Sequence, residues 1–216
     1  MTININRTQK LVAALPKGKL LKPTFALLQK AGFFFDEADQ KSRKLIIEDK
    51  NRMMQALFVK PSDVPIYVEH GIADFGIVGK DSLVESCVDV FTPLELDFGQ
   101  CNLAIAGYPE DLDRNWRLRS LVRVATKYPN IARVHFDKLG VQAEIISLHG
   151  SVELGVLAGL ADVIVDIVET GTTLRENGLV VFEEILPVTA MFIVNKASHK
   201  LKLRQLDTVI SAIAKS

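Results

Sequence analysis

The alternation of short apolar runs with helix-like stretches predicts an α/β protein built on mostly parallel sheets, folded as two lobes around a cleft. Three observations carry this. Runs such as "LVAAL" (11–15), "DFGIVG" (74–79) and "VIVDIV" (163–168) read as buried strands, each leading to a helical pattern. The turns "PKGK" and "ETGTT" join strand to helix and concentrate charge or hydroxyls at strand ends. No low-complexity linker interrupts the chain, so any domain boundary has to be a pair of crossing strands, expected near 97–101 and 185–189. That assigns residues 1–98 with 187–216 to a discontinuous first lobe and 99–186 to a second.

Taken in order, the strand 11–15 gives way to a helix from Leu20 to about Ala31, with Leu21, Phe25 and Leu28 on one face and Gly32 closing it. "KLIIE" and "QALFV" form a strand pair joined by a polar connection containing Asp49, Lys50 and Asn51. "SDVPIYVEHG" predicts a helix capped by Ser62 or Asp63 and stopped at Gly71. The strand "DFGIVG", a short helix from Asp81 and a strand around "VDVFTPLEL" follow. "NLAIAGY" is a further strand, and "PEDLDRNWR" a polar connection in which Trp116 packs locally. "RVATKY" breaks at Pro129 into the helix "NIARVHFDKLG", and "AEIISLH" leads through Gly150-Ser151 into the helix "VELGVLAGL". After the strand 163–168, the C-terminal "LKLRQLDTVISAIAKS" is amphipathic, with Leu206, Val209, Ile210 and Ile213 at helical spacing.

The totals narrow the class. The chain has 216 residues and is 48% hydrophobic, enough for a sizeable core, and Lys+Arg equals Asp+Glu at 26 each. A zero net charge argues against a general nucleic-acid binder, which normally carries a basic excess. Cys87 and Cys101 have neither metal-ligand nor CxxC spacing and are expected to be reduced and buried. The N-terminus shows no signal-peptide pattern and no run is long enough to span a membrane, so a cytoplasmic location is expected.

The chemistry concentrates in "ADVIVDIVETGTTLRENG", 161–178. Amides in a Gly-Thr-Thr turn that opens a helix are unpaired donors, and Thr170, Thr172 and Thr173 add hydroxyls while Gly171 permits close backbone approach. This composition suits a phosphate. Asp166 and Glu169 would repel it, so they call for adjacent sugar hydroxyls or Mg²⁺. The plain alternative is a strand–turn–helix in which Thr172 is an N-cap and Glu169 is solvated. Lys17 and Lys19 in "LPKGK" could clamp a polyphosphate or merely solvate a turn, and Arg43 could bridge phosphate oxygens or lie idle on the surface. "HGSVEL" repeats the loop pattern, with Ser151 and Glu153 either ligand-facing or ordinary helix-start residues. The histidines at 70, 135, 149 and 199 show no metal spacing and read as structural or solvated.

With those segments in hand, the chain resembles the ATP phosphoribosyltransferase family. "ELGVLAGLADVIVDIVETGTTL" matches its signature, and "LPKGKLL", "SRKL", "DVPIYVEHGIADFGIVGKD", "ATKYPN" and "FIVNKAS" follow the family in order. The resemblance implies a fold similar to type II periplasmic binding proteins. It implies transfer from 5-phosphoribosyl 1-pyrophosphate (PRPP) to N1 of ATP, giving N1-(5-phosphoribosyl)-ATP and pyrophosphate, the first step of histidine biosynthesis. The PRPP loop would be Asp166 through Leu174, with Ser151 and Glu153 as further PRPP contacts. Arg43, Lys17 and Lys19 would be catalytic, and Mg²⁺ would come with the substrate's pyrophosphate. Family members commonly carry Arg where Lys19 stands, which keeps the charge but loses the bidentate fork. The chain resembles the short form, lacking a histidine-binding domain and working with a regulatory subunit resembling histidyl-tRNA synthetase, expected as a hetero-octamer. A cytoplasmic sensor for a small anion or sugar phosphate is the rival reading, and a phosphoribosyltransferase for another base is a third.

Overall fold

The computed structural model describes residues 10–40 and 42–215, so the reading of residues 1–9 as free of a leader lies outside it. The chain divides into two compact units, Met1–Gly99 with Thr189–Ser216, and Gln100–Val188. In chain order, the elements up to the first boundary are β1 (Leu11–Pro16), α1 (Leu21–Lys30), α2 (Glu37–Gln40), β2 (Ile46–Glu48), β3 (Met54–Val59), α3 (Val64–Glu69), β4 (Phe75–Gly79), α4 (Lys80–Ser86) and β5 (Phe91–Gly107). Then come α5 (Pro109–Asp113), β6 (Val122–Thr126), α6 (Pro129–Leu139), β7 (Ala143–Ser147), α7 (Leu154–Leu157), β8 (Val163–Val168), α8 (Thr172–Glu176), β9 (Val180–Val194), α9 (Lys196–Leu201) and α10 (Leu203–Ala214).

In the first unit the strand order is β2-β3-β1-β4-β9. β1 is parallel to both β3 and β4, while β2 and the last stretch of β9 are antiparallel additions. Strands buried on both faces read as unbroken apolar runs, and β1 shows why. Leu11, Ala13 and Leu15 pack with Leu28 of α1 and Leu206, Val209 and Ile213 of α10. Val12 and Ala14 face the other way, onto Val64 and Val68 of α3. Neither Ser62 nor Asp63 caps α3; Ser62 Oγ instead donates to the Asp63 carboxylate. Pro65 explains this: it sits in the first turn and removes an amide that a cap would have taken.

In the second unit the order is β5-β8-β6-β7, with β6 parallel to β7 and β8 and the end of β5 antiparallel to β8. The α/β class with mostly parallel pairing is as expected. Trp116 is not the local packer foreseen for the polar connection. It is only 4% exposed and sits in the core against Phe136 and Phe182, with ring centroids 5.6 and 6.1 Å away.

Two further expectations are corrected. The runs "VDVFTPLEL" and "NLAIAGY" belong to one long strand, β5, which passes the unit boundary at Gly99. Gly99 has φ +75, and a Cβ there would fall 2.6 Å from Leu20 Cδ2, so a side chain at this point would strain the backbone and displace Leu20. The amphipathic C-terminal run forms α10 with Leu206, Val209 and Ile213 buried, as its spacing predicts, and a turn at Lys202, whose ammonium reaches Asp74, separates it from α9. Cys87 is exposed, not buried, because it closes α4 in the left-handed conformation at the surface, and Cys101 is partly buried.

Candidate active site

β8 delivers the candidate loop. Its alternation sends Val163 and Val165 into the core beneath α6, and puts Ile164, Asp166 and Val168 on the opposite face. Ile164 and Val168 pack there with Leu174, Val152 and Val156, so Asp166 emerges on the side where α7 and α8 lie. It is half-buried, and its carboxylate accepts the Ile167 amide at 2.9 Å.

Past Val168 the chain turns at Gly171, φ +67, and enters α8. Thr172 is therefore the first helical residue and not the N-cap, and no side chain caps this helix. Thr170 and Thr172 hydroxyls lie 2.9 Å apart, and the Thr172 amide reaches Thr170 Oγ1 only at 3.4 Å. Glu169, Thr170, Thr172 and Thr173 are exposed, while Leu174 is buried and pins the loop to the core. The result is a run of hydroxyls and backbone donors beside two carboxylates.

Asp162 fixes the strand that carries this loop. Its carboxylate takes hydrogen bonds from the Arg123 amide and guanidinium and from Arg119, each at 2.8 Å. Burial alone pushes the Asp162 carboxyl up; the Arg123 hydrogen bonds and the Arg123 and Arg119 charges outweigh it and hold the group below its ordinary value. A depressed folded-state pKa gives stability that is complete above the unfolded value and is lost as pH falls through the folded one. Thermal melts of wild type and Asp162→Asn are therefore expected to differ most near neutrality and to converge in acid. A gap that stays constant through acid pH would contradict this role. Thr126, fully buried, adds a second clamp by donating to the Val165 carbonyl at 2.7 Å.

The second predicted loop comes to the same end of this unit. Thr126 pairs with both Ser147 and Val165, so β6, β7 and β8 end side by side, and their following loops share one edge. Val152 is buried in the same cluster as Leu174, anchoring the two loops to one patch of core. Ser151 adopts φ +42 and is exposed, and α7 is only the four residues Leu154–Leu157, not the longer helix expected. Ser151 is thus no helix cap.

The predicted catalytic cations belong to the other unit. Lys17 follows β1 directly, its amide donating to the Val59 carbonyl at 2.9 Å, and Lys17 and Lys19 are exposed around a Gly18 turn. Arg43 is exposed in the connection before β2, where Lys44 pairs with Asp39 at 2.6 Å. Among the described residues no group of three His, Cys, Asp or Glu converges as a metal site. Asp166 and Glu169 are nevertheless oxygen donors of the kind Mg²⁺ accepts. Of the histidines, His135 is drawn into the core edge: burial pushes its imidazole below the ordinary value despite the Glu183 carboxylate 3.4 Å away.

Two residues escaped the sequence reading. Lys127 stands at the carboxyl end of β6, between the two loops, and the rule that singled out Lys17 at a strand end would have found it. Arg175, in the last turn of α8, donates to the Thr170 carbonyl at 2.8 Å and to Thr172 Oγ1 at 3.2 Å. No spacing rule signals a side chain folding back over its own loop.

An α/β scaffold with a Gly-Thr loop and flanking carboxylates has the chemistry to hold a phosphorylated sugar. Comparison with known proteins names the class more narrowly. The family model described as HisG, ATP phosphoribosyltransferase, matches residues 60–215. The ATP phosphoribosyltransferase of Caldanaerobacter subterraneus subsp. tengcongensis is 51% identical over 91% of this chain and 92% of its own length. That of Brachyspira hyodysenteriae is 48% identical over 93% and 96%. Among solved structures, the ATP phosphoribosyl transferase (HisG:HisZ) complex from Thermotoga maritima matches with a TM-score of 0.83 and 32% identity, covering 95% of this chain and 96% of that one. The chain belongs to the ATP phosphoribosyltransferase family. Its activity is the transfer of a phosphoribosyl group to ATP in histidine biosynthesis.

Proposed function

We propose that the second unit seats PRPP on the Asp166–Leu174 loop. The threonine hydroxyls and loop amides receive the 5-phosphate, Asp166 and Glu169 accept from the ribose hydroxyls, and Ser151 and Glu153 complete the contacts from the neighbouring loop. The observation that carries this reading is the Gly171 turn, φ +67, with hydroxyls gathered on either side of it. Lys17, Lys19 and Arg43 stabilise charge growing on the leaving pyrophosphate, as adenine N1 displaces it at ribose C1 with inversion. Alignment of the two reactants and preset positive charge are the main contributions such a reaction needs. Mg²⁺, carried on the substrate's pyrophosphate, supplies further charge neutralisation when bound. Lys19 gives a point charge where a fork is common in the family, so its share should be smaller than that of Arg43.

The partner reading is a regulatory subunit resembling histidyl-tRNA synthetase, in a hetero-octamer, with a cytoplasmic setting. Support comes from the HisG:HisZ complex that this chain matches, and from the similar length of the relatives, which it covers at above nine-tenths. No described helix is long and apolar enough to cross a membrane. An ultraviolet assay with ATP, PRPP, Mg²⁺ and pyrophosphatase tests the reading, run with and without histidine. Product formation that ignores histidine is expected from this chain alone. Inhibition of the isolated chain by histidine, or activity undiminished by chelating Mg²⁺, would refute the corresponding part.

A further inference from the structure

We infer that Arg175 is a positioning residue that holds the PRPP loop in its anion-accepting conformation. The inference rests on the assignment of PRPP to that loop. Arg175 reaches back from the last turn of α8, and its two terminal nitrogens take separate acceptors, the Thr170 carbonyl at 2.8 Å and Thr172 Oγ1 at 3.2 Å.

The first bond has a geometric consequence. A trans peptide is planar, with its carbonyl and amide pointing in opposite directions. Tying the Thr170 carbonyl to Arg175 therefore turns the Gly171 amide the other way, as a donor for an anion. The second bond holds the Thr172 hydroxyl, itself 2.9 Å from Thr170 Oγ1, so one guanidinium sets the orientation of both hydroxyls and the intervening peptide. Asn177 assists from the far end by donating to the Thr173 carbonyl at 2.8 Å. An exposed Gly-Thr-Thr segment, held by few packed side chains, would otherwise sample many backbone states, and binding would have to select among them. A lysine ammonium lacks the planar fork that meets the two acceptors from separate nitrogens in fixed geometry, so the fork matters as well as the charge.

The test compares Arg175→Gln, Arg175→Lys and Thr173→Ala with wild type, by calorimetric titration of PRPP and by steady-state kinetics. Arg175→Gln and Arg175→Lys are both expected to weaken PRPP about tenfold, the loss of roughly one charged hydrogen-bonding group. KM for PRPP should rise while KM for ATP stays put, a split that general destabilisation would not produce. Arg175→Lys binding PRPP like wild type would overturn the inference, since charge alone would then suffice. So would a wild-type affinity for Arg175→Gln beside a weakened Thr173→Ala. If Thr173→Ala itself binds normally, the loop assignment fails and the inference falls with it.

Discussion

Gly171→Val is expected to lower kcat/KM for PRPP by roughly 100-fold or more, about 2.7 kcal/mol of transition-state stabilisation, while the protein stays folded. The left-handed conformation at φ +67 costs a residue with a Cβ about 1–2 kcal/mol, and a β-branched one is a still poorer fit. The space is also taken: a Cβ at this position would stand 3.1 Å from Arg175 Nη1 and 3.8 Å from Val168 Cγ1. Valine therefore strains the turn and crowds Arg175, which has to shift by a few tenths of an ångström against its bond to the Thr170 carbonyl, and both disturb the loop amides. Because the neighbouring threonines are exposed, the strain is local, and a drop in the thermal transition of only a few degrees is expected. Gly171→Asn, which tolerates the left-handed region, should retain far more activity. Equal losses for Asn and Val would show that the backbone conformation is not what matters.

Asp74→Ala is expected to destabilise the first unit by about 3–5 kcal/mol, the usual cost of stripping one partner from a buried ion pair. The Asp74 carboxylate accepts from Lys202 Nζ at 2.7 Å and from the Val12 amide at 2.8 Å, with side-chain exposures of 7% for Asp74 and 13% for Lys202. Lys202 Nζ also donates to the Lys10 carbonyl at 2.7 Å, so the pair ties the α9–α10 junction to the start of β1. Removing Asp74 leaves an ammonium under-compensated and an amide without its acceptor. Melting should fall by roughly 10 °C, at about 2–4 °C per kcal/mol for a chain of this size. The double variant Asp74→Asn/Lys202→Met should recover most of the loss, since it removes both charges and keeps an acceptor for Val12. A double variant as unstable as Asp74→Ala would contradict the ion-pair account.

Much of the fold was legible because its strands are buried on both faces. β1, β4 and β8 appear as dense apolar runs, and their ends fall within a residue of the expected positions. What stayed hidden depends on long-range contacts. The union of two apolar runs into β5 needs Gly99 to bend past Leu20, and the inward turn of Lys202 joins it to Asp74, a residue distant in sequence. Trp116 looked local because its neighbours in the chain are polar, whereas its packing partners Phe136 and Phe182 are remote. At the candidate site, residue type revealed the hydroxyls, Gly171 and the two carboxylates. Arg175 escaped notice because its role lies in a side chain folding back over the preceding turn. Ser151 was read as a possible cap because serine commonly is one, but its left-handed backbone rules that out.

The most direct test of the central claim, that the loop after β8 seats PRPP, is the calorimetric affinity of PRPP for Glu169→Ala and Thr173→Ala beside the wild-type chain. Both variants alter exposed side chains, so folded proteins with unshifted melting are expected. Each should bind PRPP about tenfold or more weakly, the loss of one hydrogen bond to a charged group. If both bind PRPP with wild-type affinity, the substrate lies elsewhere and the assignment of this loop is wrong.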